Sequence, residues 1–239
     1  MRLGILLLGF FICTHTASAQ TINFETLPSG SSSDDLPIST QYLASHGVSF
    51  AVDADLDGLP DSGVFPIMEA AGNLDPNPGF FNQTLGINDT ANPLDTAILG
   101  NYFLRAAAAG APLNLVITYS SPVNSAGGEI WDIDGAGING SEKWIVKALT
   151  GIGPGATLRD SSTSPDGVDS TLDGRPWAFT VAAPAGQTFD HLLLQFAGTK
   201  TSGIGLAFDN FTPNLPEPHS LLMFGMISTF LLRRRQPVL

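Results

Sequence analysis

Short runs of β-branched and aromatic residues, separated at close intervals by Gly, Pro, Asn and Asp, fill the middle of this chain. In Leu113-Asn114-Leu115-Val116-Ile117-Thr118-Tyr119 the odd positions are all apolar. Lys143-Trp144-Ile145-Val146-Lys147 spaces its two charges for one face of a strand. The pattern predicts strands over Thr21–Glu25, Val48–Val52, Ala97–Ala106, Leu113–Tyr119, Gly128–Ile133, Lys143–Leu149, Trp177–Val181, His191–Phe196 and Leu206–Phe211. An amphipathic helical period is missing. Only the alanine-rich Leu104–Ala111 reads as one helical turn. This predicts an all-β chain: a single jelly-roll-like antiparallel β-sandwich over residues 20–213, with no internal repeat.

Pro28–Ser39 and Ile67–Asn92 lack periodicity and are rich in Gly, Asn, Asp, Pro and Ser, so they read as loops, where binding surfaces concentrate. Within the second, Phe80-Phe81 either packs under the loop or forms an adhesive edge.

The two ends change the picture. Arg2, the apolar run Leu3–Ile12 and the small-x-small triplet Ala17-Ser18-Ala19 stand in the order a secretory signal peptide requires. Cleavage after Ala19 makes Gln20 the first mature residue. Cys13 follows Ile12, where a lipoprotein needs a small residue. At the other end, Leu215-Pro216-Glu217-Pro218 precedes an apolar stretch, Leu221–Leu232, and then Arg233-Arg234-Arg235. As a helix that stretch reaches ~18 Å against a hydrocarbon core of ~30 Å, a marginal span. The arginines fit a cytoplasmic end, which leaves the body outside.

Pro216-Glu217-Pro218, an apolar helix and a terminal Arg cluster, in that order, resemble the PEP-CTERM tail read by exosortases; His219 and Met226 depart from the family's usual small or aliphatic residues. The resemblance spans Pro216 to the end. It implies an exosortase-type sorting partner, transient membrane anchoring by residues 214–239, and release or transfer to the cell surface or an exopolysaccharide matrix.

Four of the ten basic residues and one of the 22 acidic ones lie in the two processed ends, leaving six against 21, a body near −15. Nucleic acid and anionic lipid need a basic footprint, so neither is an expected partner. The body also has no cysteine, since the chain's one cysteine is Cys13. Stability outside the cell must then come from core size or a metal rather than disulfides.

Asp53-Ala54-Asp55-Leu56-Asp57-Gly58-Leu59-Pro60-Asp61 carries carboxylates at positions 1, 3, 5 and 9 and a glycine at 6. Alternate hard oxygens on a tight turn converge on one point, as calcium demands. Val64 replaces the bidentate glutamate at position 12, so the loop is similar to the Asp-rich loops of dockerin or thrombospondin type 3 repeats rather than to a sensor. A solvated acidic turn is the plain alternative. A second cluster, Glu129-Ile130-Trp131-Asp132-Ile133-Asp134 with Glu142, puts Asp132 and Asp134 on one strand face, with Trp131 and Ile133 turned into the core. Asp132, Asp134 and Glu142 would suit a cation, a solvated hairpin edge, or a general acid and base for glycoside hydrolysis. Glu25 near the start and Asp209 on the last strand resemble the ends of galactose-binding-like jelly rolls and carbohydrate-binding modules. That resemblance implies a shared structural calcium between them.

Catalytic constellations are otherwise lacking. His46 and His191 stand in no ligand spacing, and no Gly-x-Ser-x-Gly, phosphate-binding Gly loop or His-Glu-x-x-His occurs. Trp131, Trp144, Trp177, Tyr42, Tyr102 and Tyr119 could stack on sugars. Trp131 and Trp144 sit in apolar strands and read as core, while Trp177, after Arg175-Pro176, is the candidate for a surface glycan contact. The expectation is an exported, non-enzymatic surface or matrix protein stabilised by structural calcium. Its alternatives are a secreted polysaccharide hydrolase or lyase and a purely structural or adhesive component.

Overall fold

A computed structural model describes residues 20–72, 91, 94–105, 111–135, 140–167, 172, 174–201, 204 and 207–214. Ala17, Ala19, the tail residues Pro216, Glu217, Pro218, Arg233, Arg234 and Arg235, and the Phe80-Phe81 pair lie outside these. No helix among the described residues is long and apolar enough to cross a membrane.

The strands are β1 (Thr26–Leu27), β2 (Gly30–Ser31), β3 (Leu36–Pro37), β4 (Val48–Asp53), β5 (Ile67–Ala70), β6 (Tyr102–Arg105), β7 (Asn114–Val123), β8 (Ser125–Trp131), β9 (Trp144–Thr150), β10 (Thr157–Thr163), β11 (Pro176–Ala182), β12 (Phe189–Phe196) and β13 (Ala207–Asn214). Two single-turn helices, α1 (Leu43–His46) and α2 (Thr96–Leu99), precede β4 and β6. One sheet runs β10-β9-β12-β7-β4 and the other β11-β8-β13-β6-β5-β3, both antiparallel throughout. Together they form the antiparallel β-sandwich that the alternation predicts.

Period-2 patterning places the core. Phe50, Ile117, Val146, Leu192 and Leu194 of the first sheet share one buried cluster with Leu104, Ile130, Phe179, Val181 and Phe208 of the second. Each such side chain contributes roughly 1.5–3 kcal/mol by leaving water. Trp144 on β9 meets Phe196 on β12 and Phe208 on β13 edge-on, at ring distances of 5.5 and 5.2 Å, and so ties the two sheets together.

Several expected elements are corrected. Thr21–Glu25 is no strand: Ile22 makes one antiparallel bridge to Phe211, and Phe24, at φ 57°, turns the chain out of the extended conformation. The expected loop Pro28–Ser39 contains β2 and β3, and the expected loop Ile67–Asn92 opens with β5. Ala97–Ala106 divides at Gly100 (φ 73°) into α2 and β6, so Leu104 and Arg105 are strand residues rather than the start of a helical turn. Strand β10 was not expected at all. Trp131 is buried as expected, but with Leu99, Phe103 and Ala207 on the face away from the main core, whereas Ile133 joins that core. Asp132 does not share an open strand face with Asp134, because β8 stops at Trp131 and Asp132, at φ 64°, is buried.

Candidate metal centre

β4 delivers Asp53, fully buried, to the start of the acidic loop. A buried carboxylate must be hydrogen-bonded, and this one is. Oδ1 accepts from Asp57 N at 3.1 Å, and Oδ2 from Gly58 N at 2.9 Å and Asn114 Nδ2 at 2.6 Å. Those bonds wind residues 53–58 into a tight turn. Leu56 (φ 64°) and Gly58 (φ 88°) absorb the left-handed steps, which cost the glycine little. Asp55 Oδ1 accepts from Asp57 N at 3.2 Å. The chain then doubles back, so that Asp61 N donates to Val52 O at 2.7 Å and Ala54 N to Asp61 Oδ2 at 2.7 Å. Leu59 pins the loop from outside, lying so close over Gly153 that a Cβ there would meet it at 2.6 Å.

The result is convergence. Asp53, Asp55 and Asp61 each present a carboxylate oxygen within 4.8 Å of the others, the one such group of acidic, His or Cys side chains among the described residues. Asp57, expected as a fourth ligand, instead turns its Oδ1 to Leu59 N at 2.8 Å, capping its own turn. Three hard anionic oxygens gathered at the end of β4 could hold a metal ion, and a hard cation such as calcium would draw its remaining ligands from water and backbone carbonyls.

The second cluster is arranged differently. Asp132 Oδ1 accepts from Gly174 N at 2.8 Å, and Asp132 N donates to Arg175 O at 3.0 Å. Asp134 and Glu142 converge, but on a lysine: Lys200 Nζ lies 2.8 Å from Asp134 Oδ1 and 2.8 Å from Glu142 Oε1. An ammonium therefore stands where a metal was expected. Burial pushes Glu142 up to about 8, against the pull of Lys200.

At the third cluster, Ile22 N donates to Phe211 O at 2.8 Å and Phe211 N to Ile22 O at 3.0 Å, so the beginning of the body does lie beside the last strand. Glu25 spends both oxygens on the turn before β6: Oε1 accepts from Asn101 N and Tyr102 N at 2.6 and 3.1 Å, and Oε2 from Asn101 Nδ2 at 2.8 Å. Asp209 is fully buried; Oδ1 accepts from Asn210 N at 2.8 Å and Oδ2 has no hydrogen-bond partner. Burial first, then the charges of Glu129 and Glu25, push Asp209 up to about 9. Glu129, which the sequence groups with Asp132 and Asp134, belongs instead to this third cluster: its Oε2 accepts from Asn210 Nδ2 at 2.8 Å.

The aromatic candidates are mostly enclosed. Trp131, Trp144, Tyr42 and Tyr119 are buried. Trp177 is half-buried on the edge strand β11, 5.8 Å from Phe179 ring to ring, rather than open on the surface.

Fold and loop define an all-β sandwich with an acidic loop at one strand end. No protein-family profile and no curated protein matches the chain. Among solved structures it is similar to a cleaved adhesin domain of Lys-gingipain, at 13% identity and a TM-score of 0.42, over 83% of this chain and 99% of that one. It is also similar to a glycoside hydrolase family 43 arabinoxylan arabinofuranohydrolase from Bacillus subtilis, in complex with cellotetraose. That match has 11% identity and a TM-score of 0.34, and covers 64% of this chain but 25% of that one. At these values neither likeness bears on function.

Proposed function

We propose that this chain is an exported, non-enzymatic protein of the cell surface or extracellular matrix, stabilised by one structural calcium ion on Asp53, Asp55 and Asp61. The observation that carries the reading is the convergence of one oxygen from each of those three carboxylates within 4.8 Å, with Asp53 buried at the end of β4 and Asp55 and Asp61 in the loop after it. Like charges held that close repel unless a cation joins them. A body near −15 without cysteine suits an oxidising, salt-rich exterior in which a metal replaces disulfides.

The leader ending at Ala19 and the tail from Pro216 support export and exosortase-type sorting, with an exopolysaccharide matrix as the destination. The hydrolase alternative loses ground because Lys200 occupies Asp134 and Glu142 and the Gly174 turn occupies Asp132. Calorimetric titration of the purified protein with calcium tests the metal. Saturable binding that Asp55→Asn weakens supports the proposal, and no heat of binding in the wild type overturns it.

A further inference from the structure

Lys200, Asp134 and Glu142 form an enclosed triad apart from the acidic loop. Their side chains are 11%, 24% and 1% exposed. The backbone locks all three: Glu142 N donates to Asp134 O at 3.0 Å, and Thr199 N and Lys200 N both donate to Ser141 O at 2.8 and 3.1 Å. The segments approach so closely that a Cβ on Gly167 would meet Asp134 backbone and one on Gly198 would meet Ser141 O. An amine is thus held against two carboxyl groups in a nearly dry, rigid setting. Proximity of this kind converts a slow bimolecular condensation into a fast intramolecular one.

We propose that Lys200 Nζ and Asp134 Cγ join in an intramolecular amide bond, with Glu142 carrying the proton. The ammonium first passes a proton to the Asp134 carboxylate, leaving a neutral amine and a carboxylic acid. The amine's lone pair attacks Cγ, forming the C–N bond. Glu142 relays the second proton from nitrogen to the Asp134 hydroxyl, the C–O bond breaks, and water leaves. One ammonium and one carboxylate give one amide and one water, and Glu142 ends as it began. No oxidant, reductant or further reactant enters.

Two observations assign the roles. Asp134 is the most exposed of the three, which gives the departing water a way out. Glu142 is the most enclosed, with Oε2 buried and unpartnered, and burial raises its affinity for a proton, as a proton carrier requires. The bond would tie the segment after β8 to the β12–β13 connection across 66 residues of chain. A link closing so long a loop restricts the unfolded chain much as a disulfide does, in a body that has no cysteine.

Intact mass spectrometry of the folded full chain, referred to the mass its own determined termini require, decides the matter. The proposal expects a deficit of one water, and a branched peptide whose fragments place the link between Lys200 and Asp134. Lys200→Arg and Asp134→Ala should each restore the full mass, while Glu142→Gln should leave the linear form predominant. A folded wild-type chain at full mass would reduce the triad to a buried ion pair and overturn the proposal. A branch on Glu142 would overturn the assignment of roles.

Discussion

Asn114 Nδ2 donates to Asp53 Oδ2 at 2.6 Å, and its own Oδ1 accepts from Phe196 N at 2.9 Å, so one buried side chain ties the acidic loop to the central strand β12. Asn114→Ala leaves both a buried carboxylate and a buried N–H short of a partner. The expected cost is about 2–4 kcal/mol of stability, read as a lower urea midpoint. Calcium affinity should fall with it, since Asp53 would lose one of the three hydrogen bonds that hold its carboxylate.

The four aspartates of the loop are unequal. Asp55→Asn removes a converging charge and should weaken calcium binding about tenfold or more, whereas Asp57→Asn should change it by less than about threefold. The Asp57 carboxylate is turned to Leu59 N, a bond that an asparagine carbonyl also accepts. Calorimetric titration of the two variants side by side measures the difference. Equal losses would put Asp57 among the ligands.

Stability in the presence of a chelator should decline from acid to alkaline pH. A carboxyl pushed up to about 9 holds its proton in the folded chain longer than in the unfolded one, as Asp209 does. Its contribution is whole below the unfolded value of roughly 3.9 and is lost as pH rises toward and through about 9. Asp209→Asn, neutral and of the same shape, should flatten that slope. Urea unfolding of both proteins across pH 5 to 9 in EGTA would show it, and parallel curves would remove Asp209 from the account.

Trp177→Ala should act chiefly on stability. The ring is half-buried against the core and Phe179, and truncating such a side chain costs about 2–3 kcal/mol. A variant with an unchanged midpoint but weakened adhesion to exopolysaccharide would instead make Trp177 a surface contact.

The elements legible in the sequence are those with one face in the main core. In β4 and over most of β9 buried positions alternate because one side meets the other sheet. In β7 Leu115, Ile117 and Tyr119 keep that period, although Val116 is buried on the opposite face with Leu149 and Leu193. β10, Thr157–Thr163, lies at a sheet edge with no fully buried residue, so Thr-Leu-Arg-Asp-Ser-Ser-Thr carries no such signal. β5 hides for another reason. Met68 and Glu69 are both buried, the glutamate because Arg105 on β6 pairs with it, and an ion pair between residues 36 apart leaves no local trace.

The same distinction governs the sites. The acidic loop is contiguous, so spacing alone marks Asp53, Asp55 and Asp61. Glu142 and Lys200 are 58 residues apart and meet only through sheet topology, so the acidic residues read as a metal site while their true counter-charge sat unremarked in Gly198-Thr199-Lys200. Asp57 shows the converse. Spacing places it among the ligands, and the local turn turns it away.

Thermal unfolding of the purified protein, in calcium and in excess EGTA, tests the central claim most directly. A cation bound only to the folded chain at a hundred times its dissociation constant stabilises by about 2.7 kcal/mol, a midpoint shift on the order of 5–10 °C for a domain of this size. The account predicts such a drop in EGTA, reversed by added calcium and absent in Asp53→Asn. A midpoint indifferent to calcium would contradict it and leave Asp53, Asp55 and Asp61 as an acidic turn held by its own hydrogen bonds.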